Sequence, residues 1–140
     1  MNIKLLNEQH AELGTISQKF VALLVEDSLL DNISEIELLL SNLTDVLTAH
    51  LHTEDKLLYP ALAKSNNKKI CDTSKMFLSS VSGLKKSFTE YINNWPKEKI
   101  VISPTVFIKE SNEIILALYD RISKEENQLF PLVDEATKHF

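Results

Sequence analysis

The sequence predicts an all-α fold, an antiparallel up-down four-helix bundle, and three observations lead to it. The 140 residues include only two glycines and four prolines, with 44% hydrophobic and 25% charged residues, a composition typical of long helices rather than of strands separated by turns. Apolar residues recur at helical spacing in four long segments. Short links separate those segments, which favours antiparallel neighbours. We therefore expect residues 1–140 to form one domain that can bury a core without a disulfide or an obligate metal.

The first two helices are predicted from their apolar faces and end signals. One helix is expected from about residue 3 to residue 26, with a stripe of apolar side chains along one face: Leu6, Leu13, Ile16, Phe20 and Leu23. A second helix should begin near Ser34, a capping residue type that is followed three positions later by Glu37. This helix should continue to the region of Pro60.

The last two helices are bounded by prolines. A third helix is expected over residues 72–95, where Pro96 stops it. Ser103 and the proline after it form a cap and first turn, so a fourth helix should span residues 104–137. Pro131 should perturb this helix, because proline lacks the N–H of a helical hydrogen bond.

One internal echo relates the second and fourth helices. The segment HLHTEDKLLYP, residues 50–60, aligns with RISKEENQLFP, residues 121–131. The two helices are therefore predicted to be equivalent elements of a duplicated helical hairpin rather than units of a solenoid, since the pattern occurs only twice. Tyr59 and Phe130 precede the two prolines and are expected to plug the ends of the bundle.

Charge and cysteine content exclude several classes of function. The net charge is −5 and the basic residues are dispersed, so no basic face is expected to bind nucleic acid. Cys71 is the single cysteine, which excludes an intrachain disulfide and a cysteine-based zinc cage and suits a reducing compartment. No segment reaches the roughly 20 apolar residues that span a bilayer. We expect a cytoplasmic protein without a membrane anchor.

Four polar side chains interrupt the apolar faces and predict a shared site. His50 and Glu54 lie four residues apart on the inward face of the second helix, so they can converge on one point. The first helix contributes His10 and the fourth contributes Glu125, each between apolar neighbours at helical spacing. Buried imidazoles and carboxylates need partners. Two imidazoles with one or two carboxylates suit divalent iron, manganese or zinc.

Simpler interpretations exist for each residue alone. A single buried histidine is more often hydrogen-bonded within the protein than bound to a metal, and Glu54 alone is compatible with an exposed helix position. The coincidence of four such residues on three predicted inward faces favours the shared site. By contrast, His52 lies off that face and should be solvated, and His139 stands next to the C-terminus.

Three segments resemble the hemerythrin-like (HHE cation-binding) family. HLHTEDKLLYP is similar to its signature with histidine and glutamate before Leu-Tyr-Pro, RISKEENQLFP is similar to the fourth-helix counterpart, and LNEQHAEL is similar to the first-helix histidine motif. The resemblance implies a hemerythrin-like bundle that holds two non-haem irons and binds or senses oxygen, nitric oxide or iron. It matches His10 and His50 to ligands of one iron, and Glu54 and Glu125 to bridging carboxylates.

The chain departs from that family on one side of the site. Where the third helix of the family provides a histidine, this chain has the stretch from Met76 to Ser80, and no histidine occurs between His52 and His139. On the fourth helix the matching position is Arg121, which has no lone pair with which to ligate a metal. Ser80 and Arg121 therefore stand where ligands of the second iron would be, and the resemblance implies a degenerate di-iron site.

Two hypotheses follow from these departures. In the first, His10, His50, Glu54 and Glu125 hold at most one divalent ion, with iron expected, and Arg121 braces Glu54 and Glu125. Such a site suits binding or sensing of a small diatomic ligand or of iron rather than catalysis, although single-iron oxygen chemistry stays open. In the second, the same residues form a metal-free network in a regulatory or protein-interaction bundle. The sequence specifies neither the partner nor the oligomeric state.

Overall fold

All regular elements in the part of the chain that the structure describes are helical, which confirms the all-α prediction. The computed structural model describes residues 3–137. A short 3₁₀ turn covers Leu30–Asn32, and two π-helical turns cover Glu54–Leu58 and Glu125–Leu129. The α-helices, in chain order, are α1 (Ile3–Ala22), α2 (Ile33–Thr53), α3 (Tyr59–Ala63), α4 (Lys68–Asn94), α5 (Lys97–Ile102), α6 (Pro104–Lys124) and α7 (Pro131–Thr137).

Four long rods make up the bundle. The π turns join α2 to α3 and α6 to α7 without a break, so that each pair forms one rod beside α1 and α4. Helix α1 packs on α2 and α6, and α4 packs on α3 and α6. Gln9 near the start of α1 donates a hydrogen bond to Thr53 at the end of α2, as expected for antiparallel neighbours. None of the helices in the described region is sufficiently long and apolar to cross a bilayer.

Several predicted helix ends are wrong, each for a local reason. Helix α1 stops at Ala22 rather than near residue 26. The backbone N–H groups of Leu23 and the next residue bond to carbonyls three residues earlier, as in a tight turn, instead of four residues earlier. The N-cap of α2 is Asn32 rather than the predicted Ser34, which lies inside the helix. Helix α4 starts at Lys68 rather than near residue 72, because the Asn67 side chain accepts from two backbone N–H groups of the first turn.

The signals around prolines were more accurate. Ser103 does occupy the N-cap position of α6 with Pro104 in the first turn, although its hydroxyl makes no capping hydrogen bond. Helix α4 ends at Asn94, just before Pro96. The short helix α5 between these signals was not predicted.

The two aligned segments, residues 50–60 and 121–131, adopt the same local structure. Pro60 and Pro131 lack an N–H and crowd the carbonyl four residues earlier, and in both rods the preceding turn widens into a π turn. The backbone N–H of Tyr59 donates to the Glu54 carbonyl, and that of Phe130 donates to the Glu125 carbonyl at 2.8 Å. The two rods continue through their prolines, and each π turn begins at a predicted site carboxylate.

A polar layer divides the apolar core into two clusters. The larger cluster includes Leu13, Leu47 and Leu118, and the smaller includes Leu6, Leu58 and Leu129. On each of three rods the predicted site residues lie between a leucine of one cluster and a leucine of the other. The polar side chains are therefore enclosed above and below by close-packed apolar groups.

Phe107 should dominate the stability of the larger cluster. Its ring is fully buried and contacts the rings of Phe20, Tyr91 and Trp95. Phe107→Ala should lower the free energy of unfolding by about 3–5 kcal/mol, because the vacated volume cannot be refilled. Urea unfolding measures this change. Met76→Ala, at a side chain that is 71% exposed, is the control and should change it by less than about 0.5 kcal/mol; equal losses in the two variants would contradict the packing described.

Candidate metal centre

Three ligand-type atoms from three rods meet inside the polar layer. His10 Nε2 lies 3.1 Å from His50 Nε2 and 2.8 Å from Glu125 Oε1. His50 Nε2 lies 3.2 Å from the same carboxylate oxygen. The three residues are 4%, 2% and 1% exposed. Among the side chains that the structure describes, they form the one group of three histidine, cysteine or acidic residues whose ligand atoms are close enough to hold one ion. They are called the triad below.

The outer nitrogen of each imidazole is held by an acceptor. His50 Nδ1 lies 2.8 Å from Gln9 Oε1, whose amide nitrogen donates to Thr53. His10 Nδ1 lies 3.1 Å from Glu126 Oε1. Both partner oxygens only accept, so both Nδ1 atoms carry the proton. In the neutral rings the Nε2 atoms then present lone pairs to the centre, which is the arrangement that orients metal-binding histidines in proteins.

The spacing of the triad fits a metal ion. Neighbouring ligands at about 2.1 Å from an octahedral ion lie about 3.0 Å apart, and the three observed separations are 2.8, 3.1 and 3.2 Å. Three lone-pair atoms repel one another at such distances unless a proton or a cation lies among them. Two imidazoles and one carboxylate on one face match the donor set of non-haem iron sites.

Glu54 lies beside the triad without a hydrogen-bond partner. Its side chain is fully buried, Oε2 is 3.6 Å from His50 Nε2, and neither carboxylate oxygen is hydrogen-bonded to another described group. Burial, followed by the adjacent Glu125 carboxylate, raises the pKa of Glu54 to about 10. Without an ion Glu54 is thus a neutral acid. Its unpartnered oxygens also make it the natural fourth ligand.

Glu125 behaves in the opposite way. Burial alone would raise its pKa, but the contacts with the imidazoles of His10 and His50, followed by the adjacent Glu54 carboxyl, outweigh burial and hold the pKa well below its usual range. The neighbouring carboxylates are thereby distinguished, one ionised and one neutral. An ionised Glu125 is the acceptor around which the layer is organised.

Arg121 fills the other half of the layer. Its Nε donates to Glu125 Oε2 at 3.0 Å, Nη1 donates to the backbone carbonyl of Phe77 at 3.0 Å, and Nη2 donates to the Tyr59 hydroxyl at 2.6 Å. The guanidinium also lies 4.9 Å from the Phe77 ring centre. The expected bond from Arg121 to Glu54 does not form; the two terminal guanidinium nitrogens are directed to Phe77 and Tyr59 instead.

Comparison with known proteins agrees with this geometry. The profile of the hemerythrin HHE cation-binding domain matches residues 1–133. The chain belongs to that family. No curated protein and no solved structure matches the chain. As a hemerythrin HHE domain it belongs to a class that binds metal, and the triad is the place where its described residues can hold an ion.

Within this hemerythrin HHE domain the expected role of Ser80 is wrong. Ser80 is exposed, whereas Phe77 and Val81 on the same helix are buried. One residue along a helix rotates a side chain by about 100°, so Val81 takes the inward direction and Ser80 points to solvent. Helix α4 contributes to the site through the Phe77 carbonyl and ring instead.

Several residues of the site were missed by sequence reasoning. Tyr59 was expected only to plug the bundle end, yet its hydroxyl accepts from Arg121; burial raises the pKa of this phenol and keeps it neutral. Phe130 stacks on His10 with ring centres 5.0 Å apart. Gln9 and Glu126 hold the imidazoles. Of the four positions that are buried in both aligned segments, two carry identical residues and two differ: His50 is matched by Arg121, and Tyr59 by Phe130. Arg121 and Tyr59 contact each other.

The remaining histidines lie away from the triad. His52 is exposed, as expected, and lines a surface groove between α2 and α4. His139 is outside the described residues.

The metal-free protein should lose stability as pH rises because of Glu54. Its folded-state pKa of about 10 lies above the unfolded value of 4.5, so the folded state holds the extra proton and stability falls between these values. Glu54→Gln removes this dependence. From about pH 6 to about pH 8 its stability should rise relative to the wild type by about 1–3 kcal/mol, measured by urea unfolding with a chelator present. The exposed Glu113→Gln is the control; a constant difference between Glu54→Gln and wild type would contradict the protonated carboxyl.

Proposed function

We propose that this hemerythrin-like domain binds a single divalent metal ion, with iron expected, and that it serves to bind or sense oxygen, nitric oxide or iron rather than to catalyse a reaction. The observation that carries the proposal is the meeting of His10 Nε2, His50 Nε2 and Glu125 Oε1 within 3.2 Å of one another. Family membership supports cation binding. Glu54 would complete a set of two imidazoles and two carboxylates.

The chain's own residues prepare this site for one ion. Gln9 and Glu126 hold both imidazoles with the Nε2 lone pairs inward. Phe130 covers the His10 ring, and the fully buried Leu58 and Leu129 exclude water on one side. A bound divalent iron would supply an open coordination position for a small ligand. Where a second ion would require ligands, Arg121 supplies a positive charge instead.

A location in the cytoplasm and a small diatomic ligand are parts of the same proposal. The single cysteine, Cys71, suits a reducing compartment. His10, His50 and Glu125 are each at most 4% exposed, which supports access by a small molecule rather than by an organic substrate, and so binding over catalysis. The dispersed basic residues give no support for a nucleic-acid partner.

The metal-free alternative rests on a specific observation. Glu125 accepts from Arg121 and lies within hydrogen-bond distance of both imidazoles, so the buried charges balance without an ion. A fold of this kind can serve as a regulatory or protein-interaction bundle whose site is purely structural. The unpartnered oxygens of Glu54 disfavour this metal-free alternative, because the buried carboxyl has no hydrogen-bond partner when no ion is present.

Metal stoichiometry distinguishes the two candidates. The full chain is loaded with iron(II) without oxygen, and separately with zinc(II), then desalted and analysed for metal. One equivalent per chain is expected, and His10→Ala or His50→Ala should abolish it by removing a ligand. The exposed His52→Ala is the matched control and should retain one equivalent. No bound metal would establish the metal-free alternative, and two equivalents would defeat both.

Gln9 should tune affinity without touching the ion. Gln9→Ala removes the acceptor that holds His50 Nδ1, so the affinity for zinc(II) should fall about 10–100-fold. Competition with a chromophoric chelator measures the affinity. Gln18→Ala on an exposed position of the same helix should leave it unchanged; a loss of equal size in both variants would show that the effect belongs to the helix and not to the imidazole.

A further inference from the structure

One carboxylate connects the triad to a fixed positive charge. Glu125 Oε1 lies 2.8 Å from His10 Nε2 and 3.2 Å from His50 Nε2. The other carboxylate oxygen, Oε2, accepts a hydrogen bond from Arg121 Nε at 3.0 Å. An ion held by the triad would therefore share a ligand with the guanidinium. The two cations would lie on opposite oxygens of one carboxylate, as close as a bridging group allows.

The charge of Arg121 is permanent and poorly screened. A guanidinium does not lose its proton in proteins. Arg121 is 8% exposed and Glu125 1% exposed, so little water intervenes. Hydrogen bonds to Phe77 and Tyr59 hold the guanidinium in place. At such short range and low dielectric, its repulsion of another cation is strong and rises with the charge of that cation.

A charge count around the triad shows which cation the layer balances. With an ion bound and Glu54 ionised as its ligand, three carboxylates contribute negative charge: Glu54, Glu125 of the triad itself, and the half-exposed Glu126 beside His10. Arg121 contributes one positive charge. The difference is two negative charges, which a divalent ion neutralises. A trivalent ion would leave one uncompensated positive charge in a buried site, which is costly.

The nearest other carboxylate does not change this count. Asp55 follows Glu54 in the chain, but it is 3.0 Å from Lys85 Nζ at the surface and is neutralised there. Without Arg121 the count around the triad would be three negative charges, which would match a trivalent ion. A single side chain thus decides which charge state the layer favours.

We propose that Arg121 makes this site selective for divalent over trivalent ions, so that iron held here stays ferrous. The inference rests on the proposed single-ion function and names its ligand class as a divalent first-row transition-metal cation. Arg121 acts through Glu125 and is a positioning and charge-setting residue rather than a ligand.

Replacement of Arg121 by a neutral residue and by another cation separates charge from packing. The full chain is loaded with iron(II), and its midpoint potential is measured by spectroelectrochemical titration for wild type, Arg121→Met and Arg121→Lys. Arg121→Met should favour the ferric form at least tenfold, which lowers the potential by about 59 mV or more for one electron. Arg121→Lys retains the charge and should shift the potential by less than half as much. Lys109→Met removes a positive charge from an exposed position of the same helix, away from the site, and should resemble the wild type.

A second readout does not depend on redox chemistry. The relative affinities for zinc(II) and gallium(III) are measured by competition on the same variants, and the preference for zinc(II) should fall at least tenfold in Arg121→Met. If Arg121→Met does not fold, Arg121→Gln provides the neutral variant.

The possible outcomes separate this inference from the proposed function. A wild type that binds one divalent ion, with an unchanged potential and zinc preference in Arg121→Met, overturns the inference and leaves the function standing. Equal shifts in Arg121→Met and Arg121→Lys also overturn it, because geometry rather than charge would then be responsible. A wild type that binds no ion defeats the proposed function itself, and with it the inference.

Discussion

The buried carboxylate of Glu125 is the interaction on which the rest of the site depends. It lies within hydrogen-bond distance of two imidazoles on other rods and accepts from a guanidinium on its own rod. The two imidazoles, followed by the adjacent Glu54 carboxyl, outweigh the cost of burial and hold the pKa of Glu125 below its usual range. Three rods are tied together at one point, and the polar layer is tolerated between two apolar clusters because its central charge is balanced.

The π turns explain how two carboxylates came to stand in equivalent positions. Pro60 and Pro131 each interrupt the normal helical bonding one turn after a glutamate, and the helix accommodates the interruption by widening. The same local rule therefore acts in both rods and places Glu54 and Glu125 at the start of a π turn. Their chemistry still differs, because Glu125 has donors around it and Glu54 has none.

The two equivalent rods carry different residues where the second half of the layer lies. In the alignment of the two segments, Arg121 matches His50, and Phe130 matches Tyr59. The guanidinium and the phenol contact each other at 2.6 Å. One half of the layer thus presents lone pairs and the other presents a cation, an asymmetry that membership in the hemerythrin HHE family does not by itself imply.

The sequence alone determined the helical class and the inward faces of four residues, since these follow from helical periodicity: His10, His50, Glu54 and Glu125. The loss of ligands on one side came from the resemblance to the family, together with the inability of arginine to ligate a metal. Only the tertiary structure decided that Arg121 bonds Glu125 and not Glu54, that Ser80 faces solvent, and that Gln9 and Glu126 orient the imidazoles. The physical reason is that helical periodicity depends on neighbours along the chain, whereas most of the site contacts join residues far apart in the sequence. Periodicity is local and survives errors of a residue, whereas hydrogen bonds between rods depend on rotations and distances that helix packing sets.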